Sequence, residues 1–115
     1  MEFSELRERA LSVRKEYEAL ERERYGRPWS LEELTLGLVG DIGDLAKLIQ
    51  AHEGVRDIDD AGAALAHELS DVLWSVIVIA DRCEIDLEAA FTRTMDELER
   101  LFARSHVSSE EGNET

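Results

Sequence analysis

Four carboxylates recur in two pairs at helical spacing. Asp41 and Asp44 form an i,i+3 pair, and Glu68 and Asp71 form a second pair with the same spacing. Each pair lies on a stripe of apolar residues, where a charged side chain is costly unless it has a partner. A single such pair among twenty-seven acidic residues is typical of a solvated helix face, but two matched pairs are not. Their all-oxygen chemistry, without Cys or His, favours binding of Mg²⁺ or Mn²⁺ over Zn²⁺.

The elements that position these carboxylates are predicted to be helices. Pro28 is the only proline, and the longer glycine-free runs are rich in Glu, Leu, Arg and Ala. Ser30 and Glu33 form a predicted capping box that starts the second helix, and Asp60 is expected to cap the third. The predicted fold is therefore all-α, with helices over about 5–24, 31–52, 61–82 and 87–104 and no strands.

The second and third helices are expected to form an antiparallel hairpin that brings the carboxylates to one level. With the turn centred near residue 56 or 57, Asp44 lies opposite Glu68 and Asp41 opposite Asp71. The expected buried stripes are Leu34, Leu38, Leu45 and Leu48 on the second helix, and Leu65, Val72, Val76 and Ile79 on the third.

Three segments carry a resemblance to a known family. Leu38–Ala46, Glu68–Trp74 and Ala80–Leu87 resemble the MazG-like nucleotide pyrophosphohydrolases, near their dCTP pyrophosphatase branch, and the similarity covers about Trp29 to Leu98. The resemblance implies a four-helix MazG-like bundle in which the two acidic pairs bind Mg²⁺, with Mn²⁺ as a substitute. It also implies hydrolysis of a nucleoside triphosphate to the monophosphate and pyrophosphate, as nucleotide-pool house-cleaning.

This sequence departs from the family pattern at four positions. Asp41 and Asp44 stand where the family usually has Glu, and each side chain is shorter by one carbon–carbon bond of about 1.5 Å. Gly40 replaces a further Glu that often precedes the first pair. Ser75 replaces a tyrosine that often follows the second pair. These changes affect the reach of the metal ligands and the contacts to substrate.

Several residues are candidates for catalysis or substrate binding. Glu68 and Asp41 are the candidates to orient or deprotonate the attacking water. The Trp29 ring can stack on a base, although a hydrophobic staple at the helix entry explains the same residue. Lys47 and Arg82 are candidates to contact phosphate oxygens, and Ser75 is a candidate substrate contact.

Composition restricts the partners and the compartment. Thirteen basic against twenty-seven acidic residues give a net charge of -14, which repels nucleic acid and anionic lipid. No uninterrupted apolar run reaches the roughly 20 residues that span a bilayer. The single Cys83 is expected to be a buried structural thiol, which suits a reducing cytoplasm. Residues 1–104 are predicted to form one domain, and the polar, acidic residues 105–115 a disordered tail.

The apolar segment Val72–Ala80 predicts that a second subunit covers part of the third helix, giving a homodimer or homotetramer.

Two alternatives to the pyrophosphohydrolase remain open. One is a phosphoribosyl-ATP pyrophosphohydrolase-like activity. The other is a non-catalytic helical dimer that binds nucleotide or regulates a partner and has kept a degenerate metal site; the shorter Asp ligands and Gly40 favour it.

Overall fold

The computed structural model describes the backbone of residues 1–54 and 60–113, and the side chains of residues 1–54 and 60–106. Within these residues the chain forms four helices and no strand, which confirms the predicted all-α class. The helices are α1 Phe3–Tyr25, α2 Leu31–His52, α3 Ala61–Arg82 and α4 Leu87–Asn113. The predicted turn centre at 56 or 57 lies outside the described residues.

Helix caps define where α1 ends and where α2 begins. Gly26 adopts the left-handed conformation with φ 79°, and its N–H donates to the carbonyl of Arg22 at 2.9 Å, so glycine is the residue that ends α1 without strain. The Ser30 hydroxyl accepts from the Glu33 N–H, and the Glu33 carboxylate accepts from the Ser30 N–H. The predicted capping box is therefore confirmed.

We expect Glu33→Gln to destabilise the protein in a pH-dependent way. The Arg27 guanidinium at 2.5 Å and the Ser30 N–H lower the pKa of Glu33 from 4.5 to about 2. A lowered pKa in the folded state contributes stability above pH 4.5, and that contribution is lost as the pH falls towards 2. Urea unfolding at a series of pH values should show wild type and variant converging below pH 4.5. A constant difference across the series would contradict this origin.

Two predicted features of α3 are wrong. Asp60 does not cap the helix through its side chain, because it lies in the left-handed region with φ 53°, whereas a capping residue is extended. Cys83 is exposed rather than buried. It occupies the C-cap position directly after Arg82, where the chain leaves the helix.

The fourth helix is longer than the sequence predicts. Its N-terminus is capped by the Asp86 carboxylate, which accepts from the Ala89 N–H at 3.1 Å. The helix continues through Asn113, past the end predicted near Arg104. Between these two residues there is no proline and Gly112 is the one glycine, so little in the sequence stops propagation of the helix. The division into a domain over 1–104 and a tail over 105–115 stays a prediction.

Residues Met1–Glu84 form one compact unit, and α4 belongs to a second. In the first unit α2 and α1 both pack against α3. Its core residues are small or aliphatic: Ala10, Leu34, Ile77, Val78 and Ala80. On α2 the predicted stripe is confirmed, since Leu34 is buried and Leu38, Leu45 and Leu48 are half-buried. On α3 the predicted stripe is half-buried, and the most buried positions lie beside it, at Ser75, Ile77, Val78 and Ala80.

The sequence predicts no apolar run long enough to span a bilayer, and α3 differs from that expectation. Among the described helices it is long and apolar enough to cross a bilayer, with a mean hydropathy of 1.5 over its most apolar window. A core helix of a soluble domain can have the same length and composition, although only 22% of this window is buried. Here α3 carries Glu68 and Asp71 near its middle and packs against two other helices.

Candidate functional site

The structure brings three of the four predicted metal ligands together. Asp41 and Asp44 extend from α2 and Glu68 from α3, and one carboxylate oxygen from each lies within 4.8 Å of the other two. Since Asp41 and Asp44 are separated by three residues, one turn of α2 presents both to the same side. The pairing of Asp44 with Glu68 across the hairpin is as the sequence predicts.

Asp71 lies outside this cluster of three carboxylates. Its Oδ2 is 3.3 Å from Nε2 of His67, one turn earlier on α3. It is still close enough to raise the pKa of Glu68 through its charge. In the cluster Glu68 lies close to both aspartates of α2, and the opposition of Asp41 and Asp71 stays a prediction. The role of Asp71 as a fourth ligand stays a prediction.

Glu68 is the electrostatic centre of the cluster. Burial raises the pKa of Glu68, and the carboxylates of Asp41, Asp71 and Asp44 raise it further. Its Oε1 atom is buried and has no hydrogen-bond donor among the described residues. An orphaned carboxylate oxygen beside two further carboxylates fits the ligand set of a hard divalent cation, which would supply the missing positive charge. The residues therefore fit the implied Mg²⁺.

A cavity of about 810 Å³ opens beside the acidic cluster, within the range of ligand-binding clefts. Asp41, Ser70 and Asp71 contribute to its wall, so two of the predicted metal ligands face its interior. The rest of the wall is mostly apolar and aromatic. It consists of Leu6, Ala10, Val13, Tyr17, Leu20 and Tyr25 with Trp29, Leu34, Leu73 and Trp74, and with the charged residues Arg9, Arg14, Glu21 and Arg24.

The predicted substrate contacts fall in different places. Trp29 lines the cavity. Arg82 does not, but its Nη1 donates to the Trp29 carbonyl at 3.5 Å, so it contacts the loop that carries this tryptophan. Lys47 is exposed and Ser75 is buried, and neither belongs to the described cavity wall. A direct contact of Lys47, Ser75 or Arg82 with substrate stays a prediction.

Sequence reasoning missed the contribution of α1. Arg14, Tyr17 and Glu21 all line the cavity, and Arg14 and Glu21 are buried. The signal was weak because α1 is charged around most of its circumference. Leu6, Ala10, Val13, Tyr17 and Leu20 recur at spacings of three and four, which marks one apolar face of α1. On this face Ala10 is buried, and the other four residues are 39–50% exposed along the cavity.

Comparisons with known proteins agree with the geometry. Residues 29–102 match the MazG nucleotide pyrophosphohydrolase domain. The chain is similar to dCTP pyrophosphatase 1 of Rattus norvegicus and of Homo sapiens, with 41% identity over 68 residues in each case. It is also similar to dCTP pyrophosphatase 1 of Bos taurus, with 38% identity over 74 residues.

These alignments differ in how much of each protein they cover. The rat and human alignments cover 55% of this chain and 40% of the relative, and the bovine alignment covers 60% and 44%. The chain thus spans less than half the length of these relatives. The domain match, in contrast, covers well over half of this chain and includes all four acidic residues of the predicted site. The chain therefore belongs to the MazG nucleotide pyrophosphohydrolase family.

Proposed function

We propose that this protein hydrolyses a nucleoside triphosphate, with a deoxynucleotide as the preferred form, to the monophosphate and pyrophosphate in a Mg²⁺-dependent reaction. One observation carries the proposal: the carboxylates of Asp41, Asp44 and Glu68 meet beside a cavity of nucleotide size in a chain of this family. The names of the similar dCTP pyrophosphatases support a deoxynucleotide substrate.

Asp41, Asp44 and Glu68 would hold the cation, with Asp71 as the further candidate ligand. When bound, Mg²⁺ neutralises charge on the triphosphate and activates water for attack on the α-phosphorus. The protein's own contribution is to place acidic oxygens at one end of the cavity and aromatic rings along it. The phosphates would then lie at the acidic end of the cavity, and the base would lie against Trp29 and the aromatic residues of α1 and α3.

Glu68 and Asp41 are the proposed general bases. Both lie in the acidic cluster, and Asp41 also lines the cavity. Burial and the neighbouring carboxylates raise the pKa of Glu68 when no cation is bound, and a bound cation would counter that rise. A carboxylate oxygen of Glu68 or Asp41 that is not bound to the cation would be available to orient the water.

Product identity tests the proposed reaction. A panel of ribonucleoside and deoxynucleoside triphosphates, incubated with Mg²⁺ or with Mn²⁺, should yield monophosphate and pyrophosphate. Attack at the γ-phosphorus would instead release diphosphate and orthophosphate. Mn²⁺ is expected to support turnover because it accepts longer ligand distances than Mg²⁺, which suits the shorter Asp41 and Asp44. Binding of nucleotide without release of pyrophosphate under either metal would favour the non-catalytic module.

A second prediction concerns the cation alone. Mg²⁺ or Mn²⁺ should raise the melting temperature, because the folded protein binds the cation better than the unfolded chain does. Asp44→Asn should remove most of this rise, since it takes one of the three converging carboxylates out of the cluster. Asp71→Asn tests whether Asp71 is a fourth ligand. Loss of the rise in melting temperature in this variant would show that it is. Equal rises in wild type and Asp44→Asn would place the cation elsewhere. Differential scanning calorimetry measures each case.

We further propose a homodimer or homotetramer in the cytoplasm. Four large apolar side chains on α2 are exposed, namely Leu36, Val39, Ile42 and Ile49, and Leu69 and Leu73 are exposed on α3. Apolar residues that recur along two packed helices are typical of a surface covered by another subunit. The net charge of -14 opposes binding to nucleic acid and to anionic membranes.

A further inference from the structure

Arg14 and Glu21 form a buried ion pair on α1. They are separated by two helical turns, so they extend from the same face. Nη1 of Arg14 donates to Oε2 of Glu21 at 2.9 Å, and Nη2 donates to Oε1 at 2.6 Å. The two residues are 4% and 6% exposed. Apolar side chains of similar volume can replace a buried ion pair without loss of stability, so a contribution to folding alone is a weak reason for this pair.

The pair is a polar spot in a mostly apolar part of the cavity wall. Both residues line the cavity that also contains Asp41 and Asp71. Nε of Arg14 is buried and has no hydrogen-bond partner among the described residues. Each Nη of Arg14 carries a second N–H, and Oε2 of Glu21, which accepts one hydrogen bond, has further acceptor capacity. The pair therefore offers a donor and an acceptor side by side.

Aromatic rings surround this donor and acceptor. The Trp29 ring lines the cavity, and the backbone N–H of Trp29 donates to Oε1 of Glu21 at 2.7 Å. Tyr17 and Trp74, which also line the cavity, form a tilted pair with their ring centroids 5.7 Å apart. A flat heteroaromatic ring stacks on such faces, while hydrogen bonds at its edge select which ring is accepted.

We propose that Glu21 and Arg14 select a base that carries an exocyclic amino group. Glu21 accepts a hydrogen bond from the amino group, and Arg14 donates to the adjacent ring nitrogen. The proposal rests on the proposed function, in which the phosphates lie at the acidic cluster. A keto base presents the opposite order, an acceptor beside a ring N–H, so in the same orientation its oxygen faces the Glu21 carboxylate and its N–H faces the Arg14 guanidinium.

The matched substrates are dCTP and dUTP, which differ only in this edge of the ring. We expect wild type to prefer dCTP by about tenfold or more in kcat/KM, because a wrong partner leaves buried polar groups unpaired. Glu21→Gln keeps the shape and removes the charge, and its amide can present a donor as well as an acceptor. It should raise KM for dCTP, leave kcat nearly unchanged and reduce the preference to a few-fold at most.

Glu18→Gln is the matched control. Glu18 approaches the same guanidinium, with its Oε1 at 3.6 Å from Nε of Arg14, but it does not belong to the described cavity wall. The control should keep the preference for dCTP. Should Glu21→Gln fail to fold, Arg14→Lys serves in its place, since a lysine keeps the charge and loses the two-pronged geometry. A reduced preference in Arg14→Lys again supports the proposal.

Equal kcat/KM for dCTP and dUTP in the wild type would overturn the proposal. So would a Glu21→Gln variant that melts earlier and loses activity on both substrates while their ratio is unchanged, because the pair would then be structural. Binding of dCMP and dUMP by calorimetry separates this proposal from the proposed reaction. With no turnover of any nucleotide, a retained preference for dCMP supports base selection while the proposed hydrolysis fails, and equal binding overturns base selection as well.

Discussion

Glu68→Gln is expected to lower the rate of pyrophosphate release by about a hundredfold or more, because the change removes either a charge beside the cation or the base. The same change should leave the metal-free protein at least as stable as wild type. Burial and the nearby acidic residues raise the pKa of Glu68. As the pH rises from the unfolded pKa to that raised value, the unfolded chain releases its proton first and the folded state loses stability. A neutral amide avoids this loss.

Activity and stability thus respond differently to one substitution. Steady-state assays with Mg²⁺ measure the activity, and urea unfolding in the presence of a chelator measures the stability. Glu32→Gln is a suitable control, since it makes the same chemical change at an exposed position in the first turn of α2. If the Glu68→Gln variant released pyrophosphate at the wild-type rate, Glu68 would have no role in the mechanism. A large loss of stability in the metal-free variant would show that the carboxylate contributes to folding instead.

Ile77→Asp is expected to unfold the protein. Ile77 is 4% exposed within a single chain, so an aspartate there places an unpaired charge in the core of the first unit. An uncompensated buried charge costs on the order of 3–5 kcal/mol, and domains of this size have a total stability of about 5–15 kcal/mol. Circular dichroism and urea unfolding should show loss of the cooperative transition or a much lower midpoint.

Leu36→Asp separates assembly from folding. Leu36 is 70% exposed on α2, so a charge at this position is solvated in a monomer and buried only if a second subunit covers the face. We expect this variant to remain helical and to dissociate, as measured by light scattering at micromolar concentration. A well-folded wild-type monomer under those conditions would contradict the proposed assembly. An unchanged oligomer in Leu36→Asp would place the interface on another face.

The parts of the fold that follow from local periodicity could be predicted from the sequence. The capping box at Ser30 and Glu33 and the limits of α2 and α3 depend on nearest neighbours along one helix. The meeting of Asp44 with Glu68 followed from counting turns on either side of one bend. These features need no knowledge of how other helices pack, and the structure agrees with them.

Features that depend on packing were not predicted. Cys83 is exposed directly after the end of α3, and Asp71 lies near His67 rather than in the cluster of three carboxylates. The cavity wall on α1 requires α1 to dock beside α3 with Arg14 and Glu21 turned inwards. A charged pair on a polar helix looks the same in sequence whether it faces water or the interior.

The two tryptophans of the chain, Trp29 and Trp74, both line the cavity. All intrinsic tryptophan emission therefore arises from the cavity wall. The indole N–H of Trp74 donates to the Ala10 carbonyl on α1 at 3.0 Å, so the emission of Trp74 also reports whether α1 is docked on α3. A solution of unlabelled protein thus carries two optical reporters, and a change in wavelength or quenching on adding a nucleotide can be read without any attached dye.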